Sequence, residues 1–367
     1  MKKLTFKNSN GWNSVSAELC GEECTRLSLA DGMVEEISLD FDERKNYAVR
    51  FLGGEGEQSG LFYPGSLSMG IEYKKNLGMD RDLTYLISDK VSGHVDNYVL
   101  EDAENLSHRA DKSKKISVFV PSTYDGNTPH DILYFFDAQN LFCSAGEYTK
   151  NGDPYGSWQL DTVLCALHDQ YGKNIIVVGI DNADEYRSQE LFMNHNIFGK
   201  LAPLATAIPE DDFSHGYLDG LSAFMTGKLH AFIKEKYLVK EDNIGIGGSS
   251  MGGIASFYCA MRELGFYKYV LSYSPAFGLY EMSAFDNYFA TKHFSSHTDL
   301  LPKIHIYCGG GDMLEEMLLP AAKGMKSLLV SHGYPADRLF ETYDDEKPHN
   351  EESWRLILPQ SFSYLCF

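Results

Sequence analysis

Basic residues are scarce in this sequence. Lys and Arg total 32 against 52 Asp and Glu, which gives a formal net charge of -20 at pH 7. A surface of that charge repels phosphate backbones and anionic lipid head groups. We therefore expect neither a nucleic acid nor a bare membrane as a partner. Long apolar runs are lacking as well, so no segment is predicted to span a membrane.

Cysteines at the spacing of a metal or redox site are also missing. Seven cysteines occur, an odd number, and no two of them have the spacing of a zinc or redox motif. The basic start of the chain, residues 1–8, is not followed by the apolar stretch that a secretion signal requires. These features favour a reducing compartment, and the expected location is cytoplasmic.

Helical periodicity is missing from the first quarter of the chain. Up to residue 89, short strand candidates are separated by turn residues, most clearly at 27–29, 34–39 and 47–52. We therefore expect residues 1–89 to form a small β-sandwich-like module, either Ig-like or carbohydrate-binding-like. Trp12 is a candidate for stacking on a sugar ring, and burial within the module is the alternative interpretation.

Residues 90–367 have a different pattern, in which apolar runs of strand length alternate with longer helical stretches. This alternation predicts an α/β domain with a mostly parallel central sheet covered by helices on both faces. Strands are predicted at 116–120, 131–136, 174–180, 243–247, 269–274, 303–308 and 339–343. Helices are predicted at 220–237, 251–264, 314–332 and 351–365. The segment 181–219 is expected to lie over the carboxyl ends of the strands, where such folds place their sites.

The strongest chemical signal is a glycine-flanked serine at 248–252, between a predicted strand and a predicted helix. This G-x-S-x-G pattern is typical of a sharp turn that raises the serine hydroxyl above the sheet. It predicts Ser250 as a nucleophile and the backbone N–H of Met251 as an oxyanion donor at the helix N-terminus. A dinucleotide-binding turn would also explain Gly245 and Gly247, but it requires a third glycine where Ser250 stands.

A serine hydroxyl needs an imidazole to accept its proton. In the α/β-hydrolase fold the histidine comes last in the chain order of the triad. His349 lies in the loop after the last predicted strand and is therefore the predicted base. His305 falls inside an apolar strand and His332 at a helix end, so both are expected to be structural. His293 and His297 belong to a polar connection that no strand precedes.

The acid that orients the imidazole should follow the penultimate strand, which runs into the glycine turn 309–311. Asp312, at the end of this turn, is the predicted acid. Glu315 and Glu316 are the alternatives, and compensation of the helix dipole is the structural interpretation of all three carboxylates.

A second oxyanion donor is expected in the loop after the strand 131–136. The backbone N–H of Ala138 or of Gln139 is the candidate, and Asp137 is interpreted as a cap of the turn. The acidic cluster at 344–352 contains no histidine pair and no regular ligand spacing, so no metal site is predicted there.

Several segments, in this order, resemble one family. They are 133–142 (LYFFDAQNLF), 158–161 (WQLD), 176–182 (IVVGIDN), 248–253 (GSSMGG), 274–277 (SPAF) and 349–355 (HNEESWR). From about residue 115 to the C-terminus the chain resembles the putative-esterase family of α/β-hydrolases, which includes esterase D, enterochelin esterases, and acetylxylan and feruloyl esterases. The resemblance implies a serine esterase without a cofactor, whose triad falls on Ser250, Asp312 and His349. Ala138 stands where relatives carry glycine, which leaves the shape of the oxyanion loop open.

The expected function is hydrolysis of a carboxylic ester through an acyl-enzyme, on acylated sugars or other small esters. The resemblance leaves two alternatives open, namely acyl transfer to a sugar hydroxyl and hydrolysis of a siderophore ester of the enterochelin type. A carbohydrate-binding protein with an inactive hydrolase fold is the alternative from a different class.

Overall fold

A computed structural model describes residues 2–8, 11–21, 24–42, 45–54, 70–73, 78–79, 86–87, 93–101, 113–142, 158–161, 163–164, 173–183, 186–198 and 217–366. No helix in these ranges combines the length and the apolar character needed to cross a membrane.

Eight short strands precede the large sheet. They are β1 (Lys2–Asn8), β2 (Ser14–Gly21), β3 (Cys24–Asp31), β4 (Glu36–Phe41), β5 (Asn46–Leu52), β6 (Gly70–Tyr73), β7 (Gly78–Met79) and β8 (Leu86–Ile87). They form two three-stranded sheets, β4-β1-β6 and β3-β2-β5, and the pair β7-β8. The two larger sheets share one apolar core, in which the rings of Phe6 and Phe51 stack with their centroids 4.1 Å apart. This is the β-sandwich-like arrangement that the sequence predicts.

Trp12 belongs to this core and does not lie on the surface. Only 4% of it is exposed, and its ring stacks on that of Phe6 at 6.0 Å. The backbone of Gly53 lies against the indole so closely that a β-carbon there would be 2.5 Å from the ring. The indole is therefore not available for stacking on a sugar. The predicted division at residue 89 lies outside the described residues, between β8 and the first strand of the large sheet.

Within the described ranges, the large sheet has eight strands. They are β9 (Gly93–Glu101), β10 (Ser113–Pro121), β11 (His130–Phe136), β12 (Ile175–Ile180), β13 (Val239–Ser249), β14 (Tyr269–Tyr273), β15 (Lys303–Gly309) and β16 (Leu339–Asp344). Their order is β16-β15-β14-β13-β11-β12-β10-β9. The pairs β9-β10 and β10-β12 are antiparallel, and the other five pairs are parallel. All seven strands predicted for this part of the chain are confirmed, and only β9 had no predicted counterpart.

The helices confirm the alternating pattern. They are α1 (Arg187–Leu191), α2 (His195–Phe198), α3 (Leu218–Phe224), α4 (His230–Lys236), α5 (Met251–Arg262), α6 (Met282–Ala290), α7 (Met313–Ser331) and α8 (Glu351–Cys366). A π-helical turn, Met225–Leu229, joins α3 to α4 where one uninterrupted helix was predicted. Helices α5, α7 and α8 agree with the prediction to within two residues at each end.

Apolar clusters cover both faces of the sheet, as a parallel sheet requires. The side chains of Tyr134 and Ile246 pack with α5 on one face. Those of Phe135 and Leu271 pack with α8 on the other. Leu356, also in α8, does not pack against the large sheet. It is buried in the core of the N-terminal sandwich. Helix α8 therefore packs against both the large sheet and the N-terminal strands.

Candidate active site

Ser250 occupies the single residue between β13 and α5. Its backbone has φ 57° and ψ -119°, a region that residues other than glycine rarely adopt. Hydrogen bonds on both sides hold this conformation. The N–H of Ser250 donates to the carbonyl of Tyr273 at 2.9 Å, and its carbonyl accepts from the N–H groups of Ile254 and Ala276. The sharp strand-to-helix turn expected from the sequence is therefore present.

Close backbone contacts explain two of the glycines around Ser250. A β-carbon on Gly248 would lie 2.6 Å from the carbonyl oxygen of Gly252, and one on Gly253 would lie 2.6 Å from that of Tyr273. Any side chain at either position would push β13, β14 and α5 apart. Glycine is thus required by the packing of the turn.

Three backbone amides near this turn are potential oxyanion donors. Met251 is the first residue of α5, and Ala138 and Gln139 begin the short 3₁₀ turn that follows β11. No hydrogen bond among the described residues uses the N–H of Met251, Ala138 or Gln139. All three lie just beyond the carboxyl ends of β13 and β11, which are neighbours in the sheet. They are the amides that the sequence predicts as donors.

An ion pair that the sequence did not reveal fixes the conformation of the second loop. Asp137 adopts left-handed backbone angles, φ 59° and ψ 53°, and is 7% exposed. Its two carboxylate oxygens accept from Nε and a terminal nitrogen of Arg187 at 2.6 and 2.8 Å. Burial lowers the pKa of Arg187, but Asp137 and Glu351 outweigh it and raise the pKa overall. Asp137 therefore anchors the loop to α1 and does more than cap a turn.

His349 follows β16 and contacts Glu315 of α7. Its Nδ1 lies 3.1 Å from Oε1 of Glu315, whose side chain is fully buried. The other oxygen, Oε2, accepts from the N–H of Gly309 and the thiol of Cys308, both at 3.1 Å. A carboxylate held in this way selects the tautomer with a proton on Nδ1, which leaves Nε2 as the basic nitrogen.

Asp312, the favoured candidate for the acid, contacts backbone groups, and Glu315, one of the two alternatives, contacts the imidazole of His349. Its Oδ2 accepts from the backbone N–H of His349 at 2.7 Å, and its Oδ1 caps α7 by accepting from the N–H of Glu315 at 2.9 Å. Burial would raise the pKa of Asp312, but these backbone donors lower it overall. The contact to the imidazole that was assigned to Asp312 is thus made by Glu315, one helical turn later. Glu316 is exposed.

Trp354 and Glu351 of α8 complete the surroundings of His349, and neither was predicted to be part of the site. The rings of Trp354 and His349 meet edge to face, with centroids 4.9 Å apart at 87°. Oε1 of Glu351 accepts from the side-chain amide of Asn140 at 2.9 Å. The first turn of α8 therefore connects the loop after β11 with the histidine.

Ser250 and the His349–Glu315 pair are linked through two consecutive residues, the last residue of β14 and the one that follows it. Tyr273 accepts from the N–H of Ser250, and the hydroxyl of the next residue, Ser274, donates to Glu315. The hydroxyl of Ser250 makes no hydrogen bond within the described part of the chain. Hydrogen bonds between nucleophile and base often tighten only when substrate binds.

The other predicted histidines lie outside this arrangement. His305 is buried between Ser361 at 2.7 Å and Thr342 at 2.9 Å, and burial lowers its pKa to about 3. His332 contacts Asp286 at 2.7 Å, and His297 is exposed. In the ranges that the structure describes, no group of three or more His, Cys, Asp or Glu residues is arranged to hold a metal ion.

The strand order and the serine turn define the protein as a serine hydrolase of the α/β-hydrolase class. Residues 107–365 match the family described as Putative esterase. That match spans most of the chain, so the protein belongs to this esterase family and is a serine carboxylic-ester hydrolase. No curated protein sequence matches the chain.

Three solved structures illustrate the shared fold. Siderophore hydrolase EstA from Aspergillus nidulans is 14% identical, with a TM-score of 0.52 over 73% of this chain and 95% of that one. An IroE-like serine hydrolase from Shewanella oneidensis is 12% identical, with a TM-score of 0.51 over 72% and 78%. The BES protein from Bacillus cereus is 11% identical, with a TM-score of 0.50 over 74% and 95%. At these identities the similarity shows a shared fold.

Proposed function

We propose that the protein hydrolyses its ester in two steps through an acyl-enzyme on Ser250. Nε2 of His349 takes the proton from the hydroxyl of Ser250 as its oxygen attacks the ester carbonyl. The alcohol then leaves with that proton. Water, activated by the same imidazole, attacks the acyl-enzyme and releases the acid, which regenerates Ser250.

Glu315 is the third member of the proposed triad. Its buried carboxylate accepts from Nδ1 of His349 and offsets the positive charge that the imidazole acquires during both steps. Asp312 supports the same loop through the backbone of His349, so its proposed role is structural.

Backbone amides are proposed to stabilise the negative oxygen of the tetrahedral intermediates. The N–H of Met251 provides one donor, and the N–H of Ala138 or Gln139 provides the other. Substitution of these side chains leaves the donors in place, so the loop conformation matters more than the residue type. The Asp137–Arg187 pair supports that conformation.

The observation that carries the proposal is the backbone conformation of Ser250. A serine held in a strained conformation at a strand-to-helix turn needs a functional reason, because any glycine would fit there without strain. The family match and the His349–Glu315 contact agree with this assignment.

Replacing Ser250 by Ala tests the proposal. With 4-nitrophenyl acetate as substrate, we expect kcat/KM to fall by at least about 10³-fold, because the nucleophile is lost. Ser331→Ala is the matched control, since the hydroxyl of Ser331 lies at the exposed end of α7 and donates to the carbonyl of Leu328 in its own helix. Undiminished turnover by Ser250→Ala would refute the mechanism.

For the substrate we propose acylated sugars or other small esters. One protein with the same fold is a siderophore hydrolase, so siderophore esters belong in the same screen. Product analysis with and without an added sugar separates hydrolysis from acyl transfer. The burial of Trp12 argues against the alternative of a carbohydrate-binding protein in which this tryptophan holds the sugar.

A further inference from the structure

Ser274 combines an unusual backbone with a fully buried side chain. It directly follows β14 and has φ 40°, in the left-handed region that disfavours residues other than glycine. It is 0% exposed, and its N–H donates to the carbonyl of Tyr307 at 2.6 Å. A strained backbone of this kind persists when the contacts around the residue hold its side chain in a fixed position.

The hydroxyl of Ser274 has two partners, which together fix the direction of its proton. The indole N–H of Trp354 can only donate, and it lies 2.9 Å from Oγ of Ser274. Oγ therefore accepts from Trp354 and donates its own proton to Oε1 of Glu315. That oxygen is the one in contact with Nδ1 of His349.

These contacts form a closed set of four side chains. Trp354 donates to Ser274, Ser274 and His349 both donate to Glu315, and the ring of His349 packs against Trp354. No Lys or Arg pairs with Glu315 within the part of the chain that the structure describes. Neutral hydrogen-bond donors therefore set the orientation of the Glu315 carboxylate. Among them, Ser274 donates to Oε1, the same oxygen that contacts the imidazole of His349.

We propose that Ser274, oriented by Trp354, is a positioning residue that aims the Glu315 carboxylate at His349. The inference rests on the proposed function, because it concerns the acid of that triad. Without the hydroxyl, Oε2 keeps Gly309 and Cys308 as donors while Oε1 has only the imidazole. The carboxylate then rotates more freely, and the imidazole loses its fixed orientation.

The other titratable groups near Glu315 are either neutral or hydrogen-bonded to backbone N–H groups. Burial first, and then the charge of Glu315, raise the pKa of Cys308 and of Tyr307, so both stay protonated at ordinary pH. The carboxylate of Asp312 is engaged by backbone N–H groups. His349 is therefore the partner that responds when the donors to Glu315 change.

The test uses full-length Ser274→Gly, Ser274→Ala and Trp354→Phe, with kcat and KM measured for 4-nitrophenyl acetate across the pH range. Glycine removes the hydroxyl and accepts the positive φ, and Phe removes the indole N–H while keeping an aromatic ring beside His349. Ser222→Ala is the matched control, because Ser222 is also a buried serine that donates to a carboxylate, Glu263, away from the site.

We expect Ser274→Gly and Ser274→Ala to lower kcat by about 10- to 100-fold, as expected for the loss of a hydrogen bond to a charged group, with KM changed little. The acidic limb of kcat/KM should move to higher pH, because a carboxylate with one donor fewer attracts the Nδ1 proton more strongly. Trp354→Phe should change both quantities in the same direction by a smaller amount, and Ser222→Ala should change neither.

If Ser274→Gly keeps the wild-type kcat and pH profile while Ser250→Ala is inactive, the positioning role is overturned and the esterase mechanism stands. Full activity of Ser250→Ala would instead refute the mechanism itself. Should both Ser274 variants fail to fold, Trp354→Phe decides, because a wild-type profile in that variant contradicts the proposal.

Discussion

Among single residues, Ser250 and His349 of the proposed triad are the residues that the sequence singles out, whereas for the acid it favours Asp312 and leaves Glu315 and Glu316 as alternatives. Ser250 and His349 follow from the motif and from chain order, which depend only on local sequence and fold topology. Asp312, Glu315 and Glu316 lie within one helical turn. Which of them reaches the imidazole depends on where α7 begins and which side of it faces the loop, and neither is visible in the sequence.

Exchanging each carboxylate for its amide separates the roles of Glu315 and Asp312. Glu315→Gln should lower kcat by about 10³- to 10⁴-fold, because an amide N–H₂ facing Nδ1 favours the wrong imidazole tautomer. Asp312→Asn should lower kcat by less than about 10-fold, since the side-chain oxygen of Asn still caps α7 and only the hydrogen bond from the backbone N–H of His349 is lost. Steady-state kinetics on the same ester decide, and a larger loss in Asp312→Asn would return the role of the acid to Asp312.

Among the elements, the glycine turn at the carboxyl end of β15 contacts the loop that carries His349. The N–H groups of Gly310 and Gly311 donate to the carbonyl of Lys347 in the histidine loop, at 3.2 and 2.9 Å. A β-carbon on Gly311 would lie 2.5 Å from the carbonyl carbon of Glu346. The two loops are therefore in direct backbone contact. The sequence predicted both loops, but contact between loops that are distant in sequence becomes visible only in the folded chain.

Adding a methyl group at this contact should separate the two loops. Gly311→Ala is expected to lower kcat by at least about 10-fold and stability by about 1–3 kcal/mol, because the histidine loop must move to make room. Gly324→Ala in α7 is the control, since its β-carbon would lie 3.8 Å from Met282 in ordinary contact. It should add about 0.5–1 kcal/mol of stability at unchanged kcat. Equal kinetics of the two variants would contradict this account of the turn.

At the scale of the whole molecule, the strand order brings the loops after β11, β13, β15 and β16 to one edge of the sheet. The alternation of strands and helices was readable from the sequence because buried parallel strands are continuous apolar runs. Strand β9 could not be predicted in this way, because it is an antiparallel edge strand with alternating exposure and no apolar run. The contact of Leu356 with the N-terminal core could not be predicted from the sequence either, because it joins segments far apart in the chain.

Buried neutral histidines should make the whole protein sensitive to acid. Burial lowers the pKa of His305 to about 3 and also lowers that of His130 and His230. Between their unfolded pKa, about 6.5, and the lowered folded values, the unfolded chain binds protons that the folded chain does not. The free energy of unfolding therefore falls with decreasing pH, by up to about 1.4 kcal/mol per pH unit for each histidine.

Urea denaturation at about pH 7.5 and about pH 5 measures this effect. His305→Gln should lose less stability between the two pH values than the wild type, because one neutral buried imidazole is gone. His297→Gln, at an exposed position, should keep the wild-type difference. The same pH difference in wild type and His305→Gln would contradict the assignment.

Covalent labelling is the sharpest test of whether Ser250 is the nucleophile. The protein is treated with a fluorophosphonate, its intact mass is measured, and the modified peptide is sequenced by mass spectrometry. We predict one adduct per chain, on Ser250, with loss of esterase activity in proportion to labelling. An adduct on another residue, or full labelling of Ser250 with the activity retained, would contradict the account.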